Sequence, residues 1–147
     1  MANKQNYKNH IRWYIPHHFV FYPVMLAAII YCAWQAANAT ADVKPLWLVA
    51  GFGFFSLAWL SFLLRQHYAL TLQNRLVLQE LRYRYFVLTG KRLEPIEAQL
   101  SEGQLFALRF APDEELAALA DRAISEKLTA NEIKKAIKNW KGDYHRV

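Results

Sequence analysis

Neither of the two long apolar runs in this chain, Phe19 to Ala37 and Leu46 to Leu64, contains an Asp, Glu, Lys, Arg or His. That absence argues against a proton or ion path built by this chain alone, because such paths rest on ionisable side chains inside the bilayer. Cysteine is almost missing too. The single Cys32 sits in the first run, so no internal disulfide and no cysteine zinc motif is available, and the residue is expected to pack as a small apolar group. Acidic residues are absent from the first eighteen positions. No Ser-His-Asp order, paired intramembrane carboxylates, glycine-rich phosphate loop or H-E-x-x-H is found. An enzyme is therefore not expected, and any catalysis would be borrowed from a partner.

What is present is uneven. Hydrophobic residues make up 54% of the 147, yet the mean hydropathy is only -0.03, so a strongly apolar part must be balanced by a polar one. Each apolar run is 19 residues long. At a helical rise of about 1.5 Å per residue this spans roughly 28 Å, close to the hydrocarbon thickness of a bilayer. The polar interruptions are Gln35, Ser56 and Ser61, too few for the polar face of a soluble helix. Neither run alternates with the period of two that a barrel strand requires. The expected fold is all-α: a transmembrane two-helix hairpin whose second helix extends into the cytoplasm, followed by a small helical C-terminal tail domain.

Four segments follow from this reading. Residues 1–18 form a basic and aromatic cytoplasmic start, with Lys4, Lys8 and Arg12 for anionic headgroups; Trp13 and Tyr14, joined by Tyr22 early in the first run, suit the interfacial belt. Residues 19–64 form the hairpin, with a short outer link at 38–45. Residues 65–90 form a juxtamembrane helix, and residues 91–147 the cytoplasmic tail. The link carries Asp42 and Lys44 and no net charge, whereas Arg65, Arg75, Arg82 and Arg84 follow the second run. Basic residues favour the cytoplasmic side, which predicts a multi-pass protein of the bacterial inner membrane with both termini inside. The same asymmetry is the commoner cause of a formal charge of +6, and nucleic acid is not an expected partner. Small residues at Ala37-Asn38-Ala39 and Ala39-Thr40-Ala41 fit a signal-peptidase pattern, but the first run is long for a signal core and holds bulky Trp34. Asn38-Ala39-Thr40 reads as a glycosylation sequon, yet it abuts the membrane end and carries no weight here.

Within the hairpin, Ala28, Cys32 and Ala36 recur every fourth residue, a stripe that lets helix backbones approach, with Gly51 and Gly53 as a thin place opposite. From Arg65 no Pro or Gly interrupts the chain until Gly90, which predicts one long helix capped there, either projecting from the membrane or lying along it. Leu70, Val77, Leu81, Tyr85 and Leu88 share its apolar stripe. Pro95 reads as a stop. Ser101 to Gln104 and Thr129 to Glu132 read as capping boxes, and Pro112 with Asp113, Glu114 and Glu115 as a further helix start running to about Leu128. Ile133, Ala136, Ile137 and Trp140 predict a last helix ending at Gly142. So small a tail should need the juxtamembrane helix or a partner to complete its core.

Two residue groups are candidates for contact. In an antiparallel hairpin His17 and His18 come near Arg65 and His67, at the depth of lipid headgroups. Imidazoles there can anchor at the interface, hydrogen-bond a headgroup or quinone, or ligate a metal or haem, but no carboxylate or cysteine accompanies them, so no metal or other cofactor is expected. Lys134, Lys135, Lys138 and Lys141 lie off the Trp140 stripe, as a solvated face or as a contact for anionic lipid or an acidic partner.

Two stretches, QNYKNH at Gln5 to His10 and SEKLTANEIKKAIKNWKGDYHRV at Ser125 to Val147, together with FALRFAPDEELAALADRAI between them and the hairpin, resemble a family of small bacterial membrane proteins known only as a domain of unknown function. The resemblance runs nearly end to end. It implies location and architecture, and brings no activity, cofactor or catalytic residue. The leading expectation is a non-enzymatic inner-membrane anchor or accessory subunit whose tail contacts a protein partner or a second copy. The alternatives are a headgroup- or quinone-contacting component of a membrane enzyme complex, using His17, His18, Arg65 and His67, and a membrane-bound sensor whose tail binds an acidic regulator.

Overall fold

The computed structural model describes Lys4–Ile11 and Trp13–Tyr144; Arg12 and the last three residues, counted above in the basic start and the tail, lie outside the described residues. Every regular element among them is helical. The elements are α1 (Tyr22–Asn38), α2 (Lys44–Leu63), α3 (Leu70–Thr89), α4 (Glu94–Glu97), α5 (Glu102–Leu108), α6 (Asp113–Ser125) and α7 (Ala130–Ala136). Wide turns of π type occupy Pro16–Phe21 before α1 and Leu64–Ala69 between α2 and α3. With these, helical backbone runs unbroken over Pro16–Asn38 and over Lys44–Thr89, two stretches long and apolar enough to cross a membrane. The described residues divide into two compact units, one of residues 13–71 and one joining residues 4–11 to 72–144.

In the first unit, α1 packs on α2 through small side chains. Cys32 and Ala36 are buried, Ala28 is half-buried, and a Cβ added at Gly51 would stand 3.2 Å from the Cys32 Cβ. Gly53, expected to share this role, has nothing within 4 Å of such a Cβ and faces away. Close backbone approach at Gly51 therefore sets the hairpin contact, and dispersion between the two backbones follows from it. The turn between the helices is tied by Val43 and Lys44 N–H groups donating to Thr40 O, and Pro45 opens α2 where its missing donor costs nothing.

The second unit has its own core. Leu81 and Tyr85 of α3, with Leu93, Leu105, Leu108, Phe110, Leu116, Leu119 and Ile133, are its main buried side chains. Its helix starts are chemically marked. Both capping boxes are formed, Ser101 with Gln104 and Thr129 with Glu132, and Pro112 precedes the acidic first turn of α6. Gln104 Nε2 also donates to Leu128 O at 2.7 Å, joining the α5 cap to the loop before α7. At the end of α6, Leu128 N–H reaches Ala123 O and Lys127 N–H reaches Ile124 O, with Lys127 at φ 51. This is a Schellman turn built on a lysine where glycine would be unstrained. Gly90, at φ 68, ends α3 as its sequence predicts.

Two local expectations are corrected. Pro95 does not stop the chain: it stands in the first turn of α4, where proline is compatible with helix. The last helix ends at Ala136, not near Gly142. The Glu115 carboxylate draws the backbone out of helix by accepting the N–H groups of Lys138 and Asn139, at 3.0 and 3.1 Å, while Lys141 N–H donates to Phe110 O. Ile137 remains buried and Trp140 half-buried without helical continuation, because the extended chain still turns both toward the core, Trp140 against Phe110.

Candidate functional site

The hairpin unit contains a cavity of about 500 Å³. The two π-type turns build much of its wall, contributing His17 and Phe21 on one side and Leu64, Arg65 and Ala69 on the other; Leu57, Leu60, Ser61 and Tyr14 complete it. Wide turns of this kind recur where helices are opened for function. The wall is apolar apart from one hydrogen-bonded pair and one cation. His17 Nε2 lies 2.9 Å from Ser61 Oγ, and the imidazole stacks on Phe21 with ring centroids 5.8 Å apart. Arg65 is half-buried and enters no ion pair among the described residues.

Of the four residues expected to converge, His17 and Arg65 share this cavity. His18 touches His17 ring to ring at 5.3 Å but turns its Nδ1 back to Tyr14 O, and Trp13 packs on its other side. His67 lies off the cavity wall, against the Tyr68 ring. No group of three or more His, Cys, Asp or Glu able to hold a metal occurs among the described residues. Ser61, read from sequence only as a polar interruption, is the residue that orients His17; hairpin depth places it near His17, but not which way it faces.

A second arrangement joins the chain ends. Gln5 is 7% exposed, and its Oε1 accepts the Asp143 N–H at 2.7 Å while its Nε2 donates to His10 O. His10 packs against two aromatic rings, 5.7 Å from Trp140 and 5.9 Å from Phe110, and its Nε2 lies 3.2 Å from Lys134 Nζ. Lys135 stands over the Tyr7 ring at 5.5 Å. Thus Lys134 and Lys135 meet the N-terminal segment. Lys141 lies 3.8 Å from Asp113, and Lys138 is exposed.

Beneath this clasp lies a cation that sequence reasoning had treated only as a topology signal. Arg84 of α3 donates from Nε and Nη2 to Asp113 Oδ1, from Nη1 to Arg109 O and from Nη2 to Ala111 O. Its hydrogen bonds hold the Asp113 carboxyl below its ordinary pKa. The backbone and hydroxyl of Thr129 do the same for Glu132. Arg82 forms a bidentate pair with Glu97.

These residues offer packing, ion pairing, side-chain hydrogen bonding and helix capping. No curated protein and no solved structure matches the chain. The profile of a family of unknown function, DUF6526, matches residues 1–147, and the chain belongs to that family.

Proposed function

We propose that this is a non-enzymatic, two-span protein of the bacterial inner membrane, with both termini cytoplasmic, acting as an anchor or accessory subunit through its helical tail. The observation that carries the topology is the clasp. Gln5 and His10 precede the hairpin, Asp143 and Trp140 follow it, and they touch. Two segments in contact lie on the same side of any bilayer, so the chain between them crosses an even number of times. Two apolar helices supply that number. The lysines and arginines on the clasped side, against a link of zero net charge, favour the cytoplasm for it. The outward rings and branched side chains of α1 and α2, exposed in the isolated chain, are what hydrocarbon would cover.

Capture of partners by crosslinking in native membranes tests the accessory role. Recovery of a specific neighbour through the tail is the expected result; recovery of the bare monomer contradicts it. The cavity supports a second reading, contact with a lipid headgroup or quinone through Arg65 and the His17–Ser61 pair. His17→Ala combined with Arg65→Gln should lower the lipid or quinone retained by the purified protein, and unchanged content removes this reading.

A further inference from the structure

The tail unit leaves one face of α3 uncovered. Leu72, Leu76, Tyr83 and Phe86 are 59%, 70%, 67% and 54% exposed, on the side opposite the buried Leu81, Arg84 and Tyr85. With Gln79, also exposed, they are spaced four, three, four and three residues apart. This is the a/d spacing of a left-handed coiled coil, with Leu76 and Tyr83 at a and Leu72, Gln79 and Phe86 at d. The flanking positions follow from the same register. Arg75 occupies g and Glu80 the following e, both exposed. In a parallel two-stranded coil, g faces the e position five residues on in the other strand, so Arg75 of one copy meets Glu80 of the second, twice by symmetry.

We propose that α3 pairs with α3 of a second copy as a short parallel coiled coil, making the protein a membrane homodimer. This rests on the two-span reading, because a two-fold axis along the membrane normal is what sets the helices parallel and in register. The polar Gln79 at a d position faces its own counterpart in the in-register pair, where the two amides can hydrogen-bond each other. Val87, at the next e position, widens the apolar seam near its end. Two heptads are a short coil in water. Confinement of both copies to one membrane supplies the effective concentration that free peptides lack. The α3 side chains in the tail core, Leu78, Leu81 and Tyr85, lie off this stripe, so it is available without unfolding anything.

The experiment is disulfide trapping of the full chain in native membranes. In a Cys32→Ala background, Leu76→Cys and Tyr83→Cys, each at an a position, should form dimers on mild oxidation; Glu114→Cys, exposed on α6, should not. Arg75→Glu should lower the trapped fraction about tenfold through two repulsive pairs, and adding Glu80→Arg should restore it. Equal trapping at all three cysteines, or no trapping at the a positions, overturns the proposal. So does protection of Leu76→Cys and Tyr83→Cys from a water-soluble maleimide without trapping, the result expected if lipid or another protein covers the stripe. Membrane extraction of the same samples reads the two-span reading separately: protein released by carbonate fails that reading, whereas retained but untrapped protein fails only the dimer.

Discussion

Replacing Arg84 by Met removes a guanidinium that is 10% exposed and keeps most of its aliphatic volume. Four hydrogen bonds vanish: two to Asp113 Oδ1 and one each to Arg109 O and Ala111 O, at 2.7 to 3.2 Å. Asp113 is 51% exposed and can turn to water, so its half of the loss is small. The two carbonyls lie where α5 ends and α6 begins; the contact to Ala111 O is buried and that to Arg109 O part-buried, and leaving a buried acceptor unpaired costs about 1–3 kcal/mol, less where water reaches it. Partly offset by the relieved desolvation of Arg84, the net cost is about 2 kcal/mol, on the order of thirtyfold in the opening equilibrium. Hydrogen exchange of the full chain in lipid nanodiscs reads this directly, as lost protection of α5 and α6 amides with α1 and α2 unchanged. Asp113→Asn keeps one acceptor and should cost under about 1 kcal/mol. If Arg84→Met costs no more than Asp113→Asn, the carbonyl pairing is not what holds this junction.

Three other predictions are independent of that one. Asp113 and Glu132 have folded-state pKa values below their unfolded ones, so their stabilisation is complete above the unfolded values and is lost as pH falls through the folded ones. Tail protection should therefore fall as the pH drops below the ordinary carboxylate range, less steeply in Asp113→Asn, as followed by pulse-labelled exchange. Lys127→Gly relieves a left-handed backbone at φ 51 and should raise tail stability by about 0.5–1 kcal/mol in urea titration; a loss would mean that the lysine side chain contributes more than its strain. Gly51→Val forces bulk against Cys32, so Cys32, shielded in the parent, should react severalfold faster with a membrane-permeant maleimide, and an unchanged rate would contradict the close helix contact.

Elements with local chemical markers were legible before any coordinates. Ser101-x-x-Gln104, Thr129-x-x-Glu132 and Pro112 each announce a helix start through groups within three residues, and Gly90 announces an end. The long apolar runs were equally plain, since length and the absence of charge need no partner to be read. What escaped depends on contacts distant in sequence. Glu115 terminates α7 from another helix, and Gln5 binds Asp143 from the other end of the chain. Periodicity over Ile133, Ala136, Ile137 and Trp140 fitted a helix because all four do face the core, although only the first two are helical. At the candidate site, His17 and Arg65 were foreseeable from hairpin depth alone. Ser61 needed the rotation of α2 about its axis, which a uniformly apolar helix does not encode.

Sidedness is the decisive quantity, and single-cysteine labelling of whole cells measures it. In a Cys32→Ala background, Thr40→Cys in the link, Lys8→Cys before the hairpin and Glu114→Cys after it are each treated with an impermeant maleimide, before and after the inner membrane is opened. A two-span protein with clasped cytoplasmic ends predicts labelling of Thr40→Cys in periplasm-accessible cells and of the other two only after opening. Labelling of Lys8→Cys and Glu114→Cys from opposite sides would contradict it outright.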